Sequence, residues 1–231
     1  RLLDEAQRNV RPIEPLTSLE PGLSVEQAYR IQDALLALRL GRGERAAGHK
    51  MGLTSQAKME QMGVRAPIRA VLTDKMERPC GGTLALAGGI HPKAEPELAF
   101  RLAQDLRGPV SAAEALAACD AVCAAIDILD SRYRGFKFAL PDVIADNASS
   151  FGFVLGPWRP APPLAGLSGL SMSLSLDGKV VSSGSSEAIY GHPAQSLAAL
   201  CALLDAAGRS LKRGSVVFTN VRTPRSAFPR N

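Results

Sequence analysis

The sequence predicts a mixed α+β fold: a largely antiparallel, curled β-sheet or roll with flanking helices. Three observations predict it. Strand-like and helix-like segments interleave without the regular strand–helix–strand spacing of a parallel sheet. The run ELAFRL sets Leu98, Phe100 and Leu102 against Glu97, Ala99 and Arg101, the period-2 alternation of a strand with two different faces. LSMSLSL and KVV flank Asp177-Gly178, a dipeptide that favours a type I′ hairpin turn. At 231 residues the chain can bury one sizeable core with a small appendage. Residues 1–65 read as a small helical region and residues 66–231 as a β-roll domain, with an atypical C-terminus from about residue 220.

The elements follow in order. Residues 24–40 form a predicted helix: Ser24 and Gln27 make a capping box, Ala28, Ile31, Leu35 and Leu38 an apolar stripe, and Gly41 an end. AAGHKMGLTS (46–55) reads as a strand that then turns, and residues 55–63 as one or two helical turns. Residues 66–76 read as loop and strand, with Asp74 near the end. Gly81–Gly89 is a loop without the spacing of a phosphate-binding loop. A second capping box, Ser111 with Glu114, starts a helix expected to run to about Ala121 and to lead into the strand AAIDILD. On that helix Cys119 and Cys123 would share a face. PDVIADNASSFGFVLG reads as a turn and a strand, Pro193 as a helix start, and GSVVFT as a last strand. NVRTPRSAFPRN is poor strand material because of its prolines and arginines.

Composition excludes several classes. The net charge of +5 is local: from Arg209 onward there are six basic residues and no acidic one, so the rest of the chain is nearly neutral. No basic stripe with interleaved aromatics marks a nucleic-acid surface, and no apolar run reaches membrane-spanning length. The four cysteines form no CxxC pair, which suits a reduced, cytoplasmic protein rather than a zinc or disulfide framework.

Three acidic residues carry the chemistry. Glu95 and Glu97 are two apart in HPKAEPELAF and so point to one face of an extended strand. Asp127, in AIDILDSRY, supplies a third carboxylate from another strand. Like charges held that close repel, and a cation between them resolves the conflict. An all-oxygen donor set suits Mg²⁺ or Mn²⁺.

The segments GHKMGLTSQAKMEQMGV, VLTDKM, HPKAEPELAFRL, AIDILDSRY, FKFALPDVIADNASS and LKRGSVVFT occur in this order over residues 16–219. Together they resemble the hydratase–decarboxylase branch of the fumarylacetoacetate hydrolase superfamily, whose fold is the fumarylacetoacetase C-terminal-like β-roll. SRYRGFKFALPDVIADNASS, with Tyr133, Phe136, Lys137, Phe138 and Val143, resembles the decarboxylase form of this motif. The resemblance implies a Mg²⁺-dependent carboxy-lyase of aromatic meta-cleavage catabolism. Its reaction would take 4-oxalocrotonate (2-oxohex-3-enedioate) to 2-hydroxypenta-2,4-dienoate and CO₂. Two alternatives stand beside it: a 2-oxopent-4-enoate hydratase, and a catalytically impaired partner subunit. The resemblance assigns metal binding to Glu95, Glu97 and Asp127, although relatives in this branch usually carry Glu at the last position. It places Lys50, Asp74 and Ser149 in catalytic roles. His49, Arg132, Lys137 and Asn147 would bind the substrate, a small 2-oxo dicarboxylic acid. It also implies a homo-oligomer and a complex with a hydratase. Asp130 with Arg132 reads alternatively as a structural ion pair, Asp74 as a turn cap, and ADNASS as an Asx-rich turn.

Overall fold

The computed structural model describes residues 1–54 and 67–219, and the backbone of residues 226–227. The expected helical turns at 55–63 lie outside the described residues. In chain order the elements are α1 (Leu2–Arg8), α2 (Leu16–Leu19), α3 (Val25–Gly41), β1 (Ala46–Gly52), β2 (Ile68–Thr73), β3 (Glu77–Arg78), β4 (Lys93–Leu102) and α4 (Ala112–Ala117). There follow β5 (Cys119–Leu129), α5 (Leu140–Ala145), β6 (Ser150–Leu155), β7 (Arg159–Pro160), β8 (Ser171–Leu176), β9 (Lys179–Ser185), α6 (Pro193–Asp205), β10 (Val216–Phe218) and β11 (Ser226–Ala227). Short 3₁₀ turns fill several connections, among them Asp74–Met76, Arg134–Phe136 and Asn147–Ser149.

The main sheet runs β2-β1-β10-β4-β5-β6-β3, with β7 against β5 and β11 against β4. It is largely antiparallel; β1–β10 and β3–β6 are the parallel pairs. β1 shares this sheet with strands from residue 68 onward, so the N-terminal region supplies the strand next to one edge, beside β2, as well as helices. β8 and β9 form a separate hairpin. Asp177 and Gly178 take φ of 49° and 76°, the two left-handed positions a type I′ turn requires.

Alternation along β4 divides the core. Leu98, Phe100 and Leu102 face outward with Val217 and Met51, against α4 and α6. Ala99, Cys123, Ala125, Phe153 and Phe218 face into the curl. Phe100, Phe153 and Phe218 are fully buried, and truncating any one to Ala would cost about 3–5 kcal/mol. A third cluster joins Leu3, Ala28, Leu35, Ile68, Tyr133 and Val143, and so packs α1, α3 and α5 beside β2.

Both capping boxes form as read, at Ser24–Gln27 and Ser111–Glu114. Other expectations need correction. The buried stripe of α3 is Ala28, Gln32, Leu35 and Arg39 rather than a purely apolar one. Gln32 Nε2 donates to the carbonyls of Arg69 (3.1 Å) and Ile144 (2.9 Å), which ties α3 to β2 and α5. The helix from Ser111 ends at Ala117, and Cys119 and Cys123 lie on β5 instead. A bulge opposite Arg101 and Leu102 shifts the alternation, so Cys119 packs in the outer core and Cys123 in the inner one. PDVIA is helical, with Pro141 in the first turn and the Asp142 carboxylate accepting from the Ala139 N–H at 2.8 Å. The C-terminal segment does supply a strand: Ser226 and Ala227 pair with Ala94 and Lys93 at the start of β4.

Candidate metal centre

β4 and β5 build the centre. Glu95 is the Cα partner of Asp127, and Glu97 is one alternation further along the same face. Carboxylate oxygens of Glu95, Glu97 and Asp127 lie within 4.8 Å of one another, and all three residues are buried. From β1, the buried Lys50 reaches across the curl and places Nζ 2.7 Å from Asp127 Oδ2. Behind them stand Phe153, the Cα partner of Asp127 on β6, and Phe218, whose rings pack edge to face at 5.4 Å. This wall lowers the local dielectric and strengthens every charge interaction in front of it.

The donor set fits a hard divalent cation. Three carboxylates in a buried space that small carry a large mutual repulsion, and Lys50 brings a single positive charge to them. That an ammonium already sits on Asp127 shows the site draws a cation. Asp127 is one methylene shorter than Glu, and its Cβ starts directly across from that of Glu95, so its carboxylate still reaches the cluster.

The remaining residues singled out in the sequence are distributed differently. Asn147 and Ser149 lie in the turn between α5 and β6, beside β1 and β2. A Cβ added at Gly52, two residues after Lys50, would stand 4.0 Å from that of Ala148. The Asn147 amide is fully engaged: Oδ1 accepts from the Val71 N–H at 2.9 Å and Nδ2 donates to the Val71 carbonyl at 2.8 Å. It closes the edge of β2 as another strand would. Asn147, Ala148 and Ser149 have φ of 51°, 50° and 56°, three successive left-handed non-glycine residues. Such backbone persists only where its surroundings overdetermine it. Here the Asp130 N–H donates to the Ser149 carbonyl (2.9 Å) and Ser150 Oγ to the Asn147 carbonyl (2.6 Å). Ser149 Oγ bonds Asp146 at 3.3 Å.

Arg132 is the hub of this turn and not a free substrate clamp. Its Nε and Nη2 donate to the Asp146 carboxylate and carbonyl, and its Nη1 to the carbonyls of Asp130 (2.8 Å) and Ser150 (2.9 Å). Its ion-pair partner is Asp146, not Asp130. Asp130 instead accepts from the Ile90 (2.9 Å) and His91 (2.7 Å) N–H groups and anchors the loop before β4. Full burial pushes the Asp146 carboxyl up to about 6 against the opposing pull of Arg132.

His49 shares its face of β1 with Met51, opposite to Lys50, so the structure does not bring it to the carboxylates. Burial, then the charges of Arg69 and Arg209, push its imidazole down to about 4. Asp74 caps the end of β2, where its carboxylate accepts from the Arg45 N–H (2.9 Å) and Nε (3.1 Å). Lys137 is exposed on the loop before α5. A cavity of about 520 Å³ opens between the outer sheet face and the β8–β9 hairpin, lined by Pro96, Leu98, Ile126, Met172 and Leu174 among others. Its lining is mostly apolar with serines of β8, and of the three clustered carboxylate residues Glu97 alone borders it.

This geometry sets a known family beside the chain. The sequence profile of the fumarylacetoacetate (FAA) hydrolase C-terminal family matches residues 45–223. The chain belongs to the fumarylacetoacetate hydrolase family. A 4-oxalocrotonate decarboxylase of a Pseudomonas species is 46% identical over 221 residues, covering 96% of this chain and 85% of the relative. A 2-hydroxyhexa-2,4-dienoate hydratase of Comamonas testosteroni is 39% identical, over 96% of this chain and 85% of the relative. The fold matches that of 4-oxalocrotonate decarboxylase from Pseudomonas putida G7, complexed with magnesium and adipate. That match has a TM-score of 0.93 and 36% identity and covers 98% of this chain and 87% of the other. Among the described residues no helix is long and apolar enough to cross a membrane.

Proposed function

We propose that this member of the fumarylacetoacetate hydrolase family is a divalent-metal-dependent decarboxylase of 4-oxalocrotonate. The observation that carries the reading is the buried trio Glu95, Glu97 and Asp127, set in a chain similar throughout to decarboxylases of that substrate. Glu95, Glu97 and Asp127 would hold Mg²⁺ or Mn²⁺. When bound, the ion supplies Lewis-acid polarisation of the substrate's 2-oxo oxygen.

The protein's own groups do the rest. The C5–C6 bond breaks, C6 leaves as CO₂, and its electron pair passes along the conjugated chain to the 2-oxo oxygen. That oxygen takes a proton to give 2-hydroxypenta-2,4-dienoate. Lys50 Nζ, held at the carboxylates by Asp127, is the donor placed to supply it. Phe153 and Phe218 exclude water from one side and strengthen the Lys50 charge. Asn147 and Ser149, in the strained turn beside Gly52, bound the site next to β1. Arg132 and Asp146 hold that turn and position it.

The 39% identity to a hydratase motivates a second reading, addition of water to a dienol in the same centre. Product analysis separates the two. Purified protein with Mg²⁺ is given 4-oxalocrotonate in one assay and 2-hydroxypenta-2,4-dienoate in the other. The proposal expects CO₂ and dienol in the first and no 4-hydroxy-2-oxo acid in the second. The reverse pattern would establish the hydratase. Self-association and binding to a hydratase partner belong to the same proposal, and sedimentation with and without that partner tests them.

A further inference from the structure

A buried cation lies on the far side of β1 from the metal centre. Arg69 of β2 is 4% exposed and has no carboxylate at ion-pair distance among the described residues. Its Nη1 donates to Gln32 Oε1 at 3.4 Å, and its Cζ stands 4.6 Å from the centroid of the Tyr29 ring. One long bond to a neutral amide and a ring face hold the guanidinium without neutralising it. A charge taken out of water without a counter-charge is costly, and an anion from outside the chain would relieve that cost.

Three further groups converge on Arg69. His49 lies on the same face: its Cα partner on β2 is Val71, so Arg69 is its diagonal neighbour, about 7–8 Å away. His49 Nδ1 is buried and has no partner among the described residues. On α3, Tyr29 and Asp33 stand one turn apart. Asp33 Oδ2 accepts from Nη2 of Arg209, just past the end of α6, at 2.7 Å. Asp33 Oδ1 is buried and has no partner among the described residues. The charges of Arg69 and Arg209 both reach His49, and those of Arg209 and Asp33 reach Arg69, so the groups share one locale. The Arg209–Asp33 pair is partly exposed and forms its mouth.

A ligand here meets two opposite demands. Arg69 and Arg209 call for anionic oxygens, whereas Asp33 Oδ1 calls for a donor. A free phosphate ion at neutral pH answers both, because it keeps at least one O–H. Sulfate keeps none, and a phosphate monoester loses its last proton at about pH 6. We infer that Arg69, Arg209, His49 and Asp33 form a binding site for free phosphate, with Asp33 Oδ1 accepting the ion's O–H. The site lies on the reverse of the strand that presents Lys50, where the ion braces α3 against β1 and β2.

Titration calorimetry at neutral pH and constant ionic strength, with Mg²⁺ present, compares phosphate, sulfate and glycerol 3-phosphate. Wild type should bind phosphate about 10-fold or more tighter than the other two, the effect of one hydrogen bond to a charged group. Arg69→Met and Arg209→Gln should each weaken phosphate about 10-fold or more. Asp33→Asn should erase the advantage over sulfate. Thermal melting checks the fold, and Arg69→Met should melt at or above wild type without phosphate, since a buried unpaired charge is gone. No phosphate binding in wild type would overturn the site. So would binding that survives both arginine substitutions, as an ion held at the Mg²⁺ centre would. Sulfate or glycerol 3-phosphate bound as tightly as phosphate would overturn the assignment of the ligand.

Discussion

Lys50 Nζ lies 2.7 Å from Asp127 Oδ2, and both groups are buried. The pair spans the curl from β1 to β5, so one ionic contact joins the two sides of the site. In a metal-dependent centre this lysine is also the group that a bound cation must share Asp127 with. Removing it in Lys50→Met leaves buried negative charge and should cost about 3–5 kcal/mol in metal-free protein. Added Mg²⁺ should then raise the melting temperature of the variant by more than that of wild type, because the ion takes over the lost charge. Equal Mg²⁺ shifts in the two proteins would show that Lys50 and the metal do not share the site.

Glu97→Gln keeps the shape of a ligand and removes its charge. The variant should melt near wild type without metal, since one of three repelling carboxylates is gone. It should lose the Mg²⁺-induced rise in melting temperature and at least about 100-fold in turnover. Wild-type turnover in this variant would remove Glu97 from the metal centre.

His49 gives a pH dependence with a definite sign. Its folded-state pKa of about 4 lies below the unfolded value of 6.5, so the native state favours the neutral ring. Stability from this source is present above pH 6.5 and is lost as pH falls through 4, by roughly 3 kcal/mol in all. Asp146, raised from 3.8 to about 6, acts oppositely: its contribution is present below pH 3.8 and lost as pH rises to 6. The difference between wild type and His49→Gln isolates the histidine. Denaturant melts from pH 7 to 4.5 should fall less steeply for the variant, and parallel curves would contradict this.

Asn147→Ala should destabilise by about 2–4 kcal/mol, because it leaves the Val71 N–H and carbonyl unpaired and keeps a β-carbon at positive φ. Asn147→Asp retains the acceptor and should fall between. Faster hydrogen exchange at the Val71 amide in Asn147→Ala, and not in Asn147→Asp, is the expected signature.

The parts legible in the sequence were those with local causes. Ser24–Gln27 and Ser111–Glu114 announced two helix starts, Asp177-Gly178 a hairpin, and alternation placed Glu95 with Glu97. Glu95 and Glu97 were legible as a pair because strand periodicity acts within a few residues, whereas Asp127 comes from another strand and meets them only through the β4–β5 pairing. What failed depended on tertiary context. The six residues of α5 are too few to form a helix alone; packing on α3 and the Asp142 cap hold them. A bulge moved Cys119 to the other face. The sequence assigns Arg132 to the substrate, or alternatively to its neighbour Asp130, whereas the chain beyond α5 brings Asp146 to it.

The most direct test is CO₂ release from 4-oxalocrotonate by chelator-treated protein, before and after Mg²⁺ is restored. The account predicts no release above the spontaneous rate without metal, and stoichiometric CO₂ and dienol once Mg²⁺ is added. Release of equal rate in both samples, or none in a folded sample that binds Mg²⁺, would contradict it.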